Sequence, residues 1–211
     1  MTALAGYAHR IRRSGTSTTM IGKVMDATGV SNQYQVTTAA KQIWDRSLVP
    51  TFYGNGTPIA ASSVLAYDYL FGKVTFTGAQ STPITMDGKY MPMTLIGGAH
   101  GYSITQTADM LDDTDFEDDG VRSRKYGILD ASASLESWDI DEEALAVAMA
   151  AREALVLEIR PGGDSGTAPI CRGWFLVENE SNSGGVADLA GKAIGFQLSG
   201  AAEASISWSD L

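Results

Sequence analysis

The chain has 211 residues, 44% hydrophobic and 19% charged, with 23 glycines and a formal net charge of −10. That length can bury a sizeable core, the glycines point to many turns and hence to a mainly β protein, and the single cysteine, Cys171, excludes an internal disulfide. No apolar run approaches the roughly 18 residues of a membrane span, and no hydrophobic stretch backs the basic N-terminal residues, so the expectation is a soluble chain without a secretion signal.

The net charge disfavours nucleic-acid binding by phosphate neutralisation, but it averages two unlike halves. Residues 1–95 hold 8 Lys/Arg against 4 Asp/Glu, and residues 96–211 hold 7 against 21. Such a split suits a protein that mates with copies of itself, positive part to negative part.

In chain order, residues 1–20, rich in Thr, Ser and Gly with Arg10, Arg12 and Arg13 clustered, read as an extended arm. Tyr34–Val36 reads as extended, and the stretch around Ala39 and Ala40 as a brief helix with Thr37 or Thr38 as N-cap. Three hairpins are expected next, turning at Gly54-Asn55-Gly56, at Gly72 and at Asp87-Gly88. These short strands form an N-terminal β-hairpin module over residues 1–95. A glycine-rich stretch from Ile96 to Gly101 marks a boundary, and residues 96–211 form the second domain.

The second domain opens with a strand near Tyr102–Met110, followed by Asp112, Asp113, Asp115, Glu117, Asp118 and Asp119, six carboxylates in eight residues. So much like charge needs either water or a cationic receptor. From Gly127 the pattern has period two, with Leu129, Ala131, Ala133 and Leu135 on one face and Asp130, Ser132, Ser134 and Glu136 on the other. Asp139 and Glu142 resemble a capping box ahead of one apolar helix. Leu155, Leu157 and Ile159 alternate as a strand, Ile170–Val177 is apolar on both faces, and the stretch 178–192 reads as a loop. Ile194, Phe196 and Leu198 then alternate with Gly195, Gln197 and Ser199, and Ile206 and Trp208 with serines. The wet faces are small, neutral or acidic, and lack Lys and Arg, a surface suited to a channel that a polyanion traverses without sticking.

Catalytic motifs fail on inspection. Gly163-Asp164-Ser165-Gly166 imitates a serine nucleophile, yet the only histidines, His9 and His100, lie in a basic arm and a glycine-rich linker, and the tetrapeptide reads as a hairpin loop. Asp115, Glu117, Asp119 and Gly120 imitate the start of an EF-hand, but Tyr126 stands where the bidentate Glu belongs. No enzyme activity, cofactor or metal site is expected.

The acidic stretch with Asp113-Thr114-Asp115-Phe116 ahead of Asp119-Gly120, the strand Leu129–Trp138, and Gly184-Gly185-Val186 leading into Ile194–Gly200 together resemble the tail tube (major tail) proteins of long-tailed bacteriophages, over roughly residues 96–200. The resemblance implies a β-sandwich or partial barrel with one flanking helix. It also implies stacked hexameric rings whose inner strands enclose an acidic lumen for the tape measure protein and genomic DNA, with tail terminator and tail-tip proteins as further partners. The implied location is the virion tail, assembled in the host cytoplasm. By position, an inter-ring loop would comprise Asp112, Asp113, Asp115, Phe116, Glu117, Asp118, Asp119, Arg122, Arg124 and Lys125. The lumen would be faced by Asp130, Ser132, Ser134, Glu136, Gln197 and Ser199. Two alternatives remain: a virion decoration or tail-tip sandwich, and a carbohydrate-binding sandwich using Tyr102, Trp138, Trp174 or Trp208.

Overall fold

The computed structural model describes residues 9–112, 124–138, 143–164, 169–184, 190–199 and 206–208. Its strands are β1 (Arg10–Ser14), β2 (Thr18–Ala27), β3 (Gln33–Val36), β4 (Thr51–Gly54), β5 (Thr57–Pro58), β6 (Val64–Asp68), β7 (Lys73–Phe76), β8 (Ile84–Tyr90), β9 (Met93–Leu95), β10 (Ala99–Asp112), β11 (Arg124–Ser137), β12 (Leu155–Arg160), β13 (Cys171–Ser183), β14 (Gly191–Leu198) and β15 (Ile206–Trp208). One α-helix, α1 (Glu143–Ala151), lies among the described residues. The protein is mainly β, of the sandwich or partial-barrel type with a single helix, as its composition and turns imply.

Two compact units divide the chain. Met1–Ile96, Leu155–Trp174 and Gly200–Leu211 form the first, and Gly97–Ala154 and Phe175–Ser199 the second. The division at Ile96 falls at the glycine-rich stretch, while Leu155–Trp174 groups with the first ninety-six residues.

In the first unit a seven-stranded antiparallel sheet runs β5-β4-β8-β2-β3-β7-β6. Its core gathers Met20, Met25, Val36, Trp44, Phe52, Val74, Phe76, Ile84 and Met86. Phe52 is the hub of the aromatic contacts, tilted against Trp44 at 6.0 Å and edge-on to Phe76 at 5.6 Å. Each such pair contributes about 0.5–1.5 kcal/mol beyond area burial. Asn55 and Gly56 both have positive φ, 47° and 78°, so the β4–β5 turn is made by the residues its geometry requires. Gly72, at φ 62°, closes the turn from β6 to β7.

Two local expectations are corrected here. Asp87-Gly88 is no turn, because β8 runs straight through it. The Asp87 carboxylate instead accepts the Gly22 N–H at 2.6 Å, across a register shift between Met20 and Lys23. That irregularity hides β2 in the sequence, since its buried Met20 and Met25 are five residues apart and break any period of two. The helix expected around Ala39 is a single 3₁₀ turn, Ala39–Lys41, with no side-chain cap from Thr38.

The arm is also corrected. β1 is paired on both edges, with β12 and with β9. Its Arg12 stands opposite Glu158. β12 is buried on both faces rather than alternating, with Glu158 at 0% exposure, and Arg172 of β13 is 3% exposed beside it. The Glu158 carboxylate accepts from Arg172 Nε at 2.7 Å and from Arg160 Nε at 2.7 Å, with Arg12 Nη1 at 3.4 Å. Arg172 Nη1 donates to the Leu70 carbonyl at 2.8 Å, and its guanidinium lies 4.8 Å from the Phe71 ring centre. One buried arginine thereby ties β12 and β13 to the β6–β7 turn within this unit.

Burial alone would push the Glu158 carboxyl up, but the hydrogen bonds and charges of Arg160 and Arg172 outweigh it and hold the group below the ordinary carboxylate range. A depressed folded value means that its stabilising contribution is present above the ordinary value of 4.5 and is lost as pH falls through the folded value. Glu158→Ala should cost about 3–5 kcal/mol by leaving Arg172 buried and unpaired. Urea unfolding of the variant should also show less loss of stability between pH 6 and 3 than the parent shows.

Candidate functional site

In the second unit, β10, β11, β14 and the Phe175–Ser183 part of β13 form an antiparallel sheet in that order. Ser132 lies opposite Gln197, Ala133 opposite Phe196 and Leu135 opposite Ile194. Directly opposed residues share a face, so the register carries the sequence alternation of β11 onto β14, and a register shift between Val177 and Asn179 re-phases β13. Ala131, Ala133 and Leu135 are buried, with Ile194, Phe196, Phe175 and Val177 on the same side. The small alanine at position 133 leaves room for Phe196, which meets Phe175 edge-on at 6.4 Å. The side chain of Leu129 lies outside the described residues. So do the capping residues Asp139 and Glu142 ahead of α1, which buries Leu145.

The opposite face is open. On β11 it presents Asp130, Ser132, Ser134 and Glu136, all exposed. Opposite them on β10 stand Thr107, Thr105, Ser103 and Gly101. On β14 it presents Gln197, Gly195 and Ala193, and on β13 Leu176, Asn179 and Ser181. No Lys or Arg occurs among these positions. The β10 and β13 contributions went unrecognised in the sequence, although Ser103, Thr105 and Thr107 alternate with period two. The segment 178–183, expected as loop, is the end of β13. Its polar residues pair with β14 because Lys192, also expected in the loop, is 4% exposed and bonded to Glu180 Oε1 at 2.8 Å.

The polar side chains of the open face are tied sideways. Gln197 Nε2 donates to both Asp130 carboxylate oxygens at 2.8 Å, and the Ser103 and Ser134 hydroxyls share a hydrogen bond of 2.8 Å. His100 Nε2 approaches Glu136 Oε2 at 3.7 Å, and its ring stacks on Trp138 with centres 3.9 Å apart.

Of the residues expected in the acidic loop, Asp112, Arg124 and Lys125 are described. They end a ribbon in which Asp112 opposes Arg124 and Leu111 opposes Lys125. Asp113, Asp115, Phe116, Glu117, Asp118, Asp119 and Arg122 lie outside the described residues. Ser199 follows β14 and is half-buried.

Other candidate chemistries find little support among the described residues. Asp164 is held by Arg12 Nη2 at 2.6 Å, and Ser165 is not described. No group of three or more His, Cys, Asp or Glu among the described residues is placed for a metal ion. The Cys171 thiol is buried, and desolvation pushes it up to about 12, which leaves it unreactive. Trp174 is buried with Arg46 stacked 4.5 Å above it, and His100 lies over Trp138, so neither indole offers a bare platform for a sugar ring.

No protein-family profile and no curated protein matches the chain. Among solved structures it aligns with a chain from the tail of an empty gene transfer agent particle, obtained by helical refinement with C6 symmetry. The identity is 19% over 56% of this chain and 87% of that one, with a TM-score of 0.47. It also aligns with a chain from the virion of a native gene transfer agent particle, at 21% identity over 56% of this chain and 89% of that one, with a TM-score of 0.46.

The two faces of β11 should respond oppositely to truncation. Leu135→Ala removes a side chain that is 1% exposed and should destabilise by about 2–5 kcal/mol. Ser134→Ala on the open face should stay within about 0.5 kcal/mol. Chemical denaturation of both variants checks the assignment.

Proposed function

We propose that the chain is a structural virion protein that polymerises as stacked hexameric rings into the tube of a long-tailed phage particle. The observation that carries this reading is the open face of the second unit, which spans four strands, is built of hydroxyl, amide, small and carboxylate side chains with one leucine, Leu176, and holds no Lys or Arg alongside Asp130–Glu136. Lining a lumen, such a face gives phosphate nothing to bind, so genomic DNA and the tape measure protein pass without drag. Tail terminator and tail-tip proteins are the remaining partners of such a tube.

The sheet edge supports assembly with copies of itself. Among the described residues β10 stands at the end of its strand order, paired with β11 alone, and between Ala99 and Ala108 it carries neither Lys nor Pro, the usual devices that blunt a free edge. The ribbon beyond it exposes Met110, Leu111 and Ile128 at 54%, 58% and 75%, apolar side chains that a neighbouring copy would cover in this reading. In this reading the edge joins neighbours within a ring, and the segment Asp112–Lys125 reaches the adjacent ring.

The test places cations on the open face. Combined Ser132→Arg, Ser134→Arg and Ser199→Arg should leave monomer stability within about 0.5 kcal/mol per site, because no fully buried position changes. Repeated around a lumen, the added charges should block ring closure or produce tubes that retain DNA and slow its ejection. Normal tubes with normal ejection from the triple variant would put this face on the outside.

A further inference from the structure

Two glycines on the open face sit under side chains from neighbouring strands. Gly195 of β14 lies opposite Asn179 of β13, and a methyl group at Gly195 would fall 2.6 Å from Asn179 Nδ2 and 2.9 Å from its Oδ1. Gly101 of β10 lies opposite Glu136 of β11, and a methyl group there would fall 2.9 Å from Glu136 Oε2. In both places the space a Cβ would fill is taken by the polar end of the opposed side chain, which leans over the glycine. Positive φ does not explain either glycine, because neither has one. Close approach of a neighbouring side chain does.

Polar side chains are also bonded laterally at two of the three strand junctions of the face. Asp130 is fastened to Gln197 between β11 and β14, and Ser103 to Ser134 between β10 and β11. A polar group that has spent its hydrogen-bonding capacity on a neighbour has less left for a polymer sliding past. One that projects with free lone pairs or N–H groups exchanges water for cargo contacts at every step.

We propose that Gly101 and Gly195 are recesses that hold the Glu136 and Asn179 side chains flat, so that the open face presents a low, laterally bonded surface to a polymer passing over it. The passing polymer is a polyanion, duplex DNA, and the inference rests on the tube reading. It assigns the absence of drag to surface relief as well as to charge.

The experiment uses full-length tubes loaded with DNA. Gly195→Ala needs only the end of Asn179 to move, so the variant should fold and form tubes, but Asn179 must swing off the sheet and ejection should slow by about threefold or more. Asn179→Ala added to Gly195→Ala removes the displaced group and should restore the parental rate. Gly101→Ala with Glu136→Ala is an independent pair and decides the matter if either Gly195 variant fails to fold. In the folded subunit, the Asn179 side-chain amide resonances should shift on Gly195→Ala. Tubes of normal form whose ejection is equally fast in both glycine variants would overturn this inference while leaving the tube reading in place. Slowing that the second substitution fails to rescue would also overturn it. Tubes with this face turned outward would overturn both.

Discussion

The first unit depends on how one buried carboxylate is neutralised. Glu158 is wholly withdrawn from water in a strand with both faces covered, and a lone carboxylate could not remain ionised there. Arg172, Arg160 and Arg12 converge on it, and each comes from a different place in the chain or strand register. Arg172 uses its remaining donors on the Leu70 carbonyl and its flat face on Phe71. The guanidinium fork suits this double duty, and a lysine in its place could not reproduce it. An ion pair of this kind adds little net stability over a well-packed apolar pair, but it penalises any arrangement that separates its members. Its contribution is therefore to specificity: it fixes β1 against β12 and β13 against the β6–β7 turn. It also changes the meaning of the charge split along the sequence. Arg12 from the basic half meets Glu158 and Asp164 from the acidic half inside one unit, so part of the complementarity is already satisfied within a single copy.

The second unit follows a different rule. Its sheet is two-faced, with an apolar side sealed by Leu135, Ile194, Phe175 and Phe196 and a mostly polar side that carries no Lys or Arg alongside Asp130–Glu136. The even register from β11 to β14 makes this separation strict, because a slip of one residue would send every serine into the core. Lys192, on β14, is turned to the covered side and bonded to Glu180, and the exposed Arg124 and Lys125 lie at the far end of β11, beyond Asp130. Between Asp130 and Glu136 this sheet keeps Lys and Arg off its wet face, and among the described residues its edge strand β10 carries neither Lys nor Pro from Ala99 to Ala108, the two features on which the proposed assembly around a passing polymer rests.

Much of this architecture was legible where side-chain alternation was uninterrupted. The faces of β11 and β14 could be assigned from Ala131 to Glu136 and from Ile194 to Gln197 because period two admits only one arrangement there. The turns at Asn55-Gly56 and Gly72 were legible because their φ values require those residues. What escaped had physical causes. β2 was hidden by its bulge at Gly22, and the Asp87-Gly88 pair mimics a turn while serving that bulge. Glu158 marked a solvent face by residue type, and only the arrival of arginines remote in sequence makes its burial tolerable. The end of β13 looked like a loop because a strand that is wet on one face and closes on a buried Lys-Glu pair has a composition typical of loops. The acidic stretch between Asp112 and Arg124 was the loudest feature of the sequence, but the described structure reaches only its two ends.

The central claim is that this chain makes a tube whose inner wall is the open face of the second unit. Electron microscopy of the purified protein at high concentration, carried to a resolution that traces strands, tests it directly. The account predicts tubes of stacked sixfold rings in which β10 of each subunit borders a neighbouring copy and Ser132, Ser134 and Gln197 face the lumen. Particles that stay monomeric at every concentration, or tubes in which those residues face the outside, would contradict it.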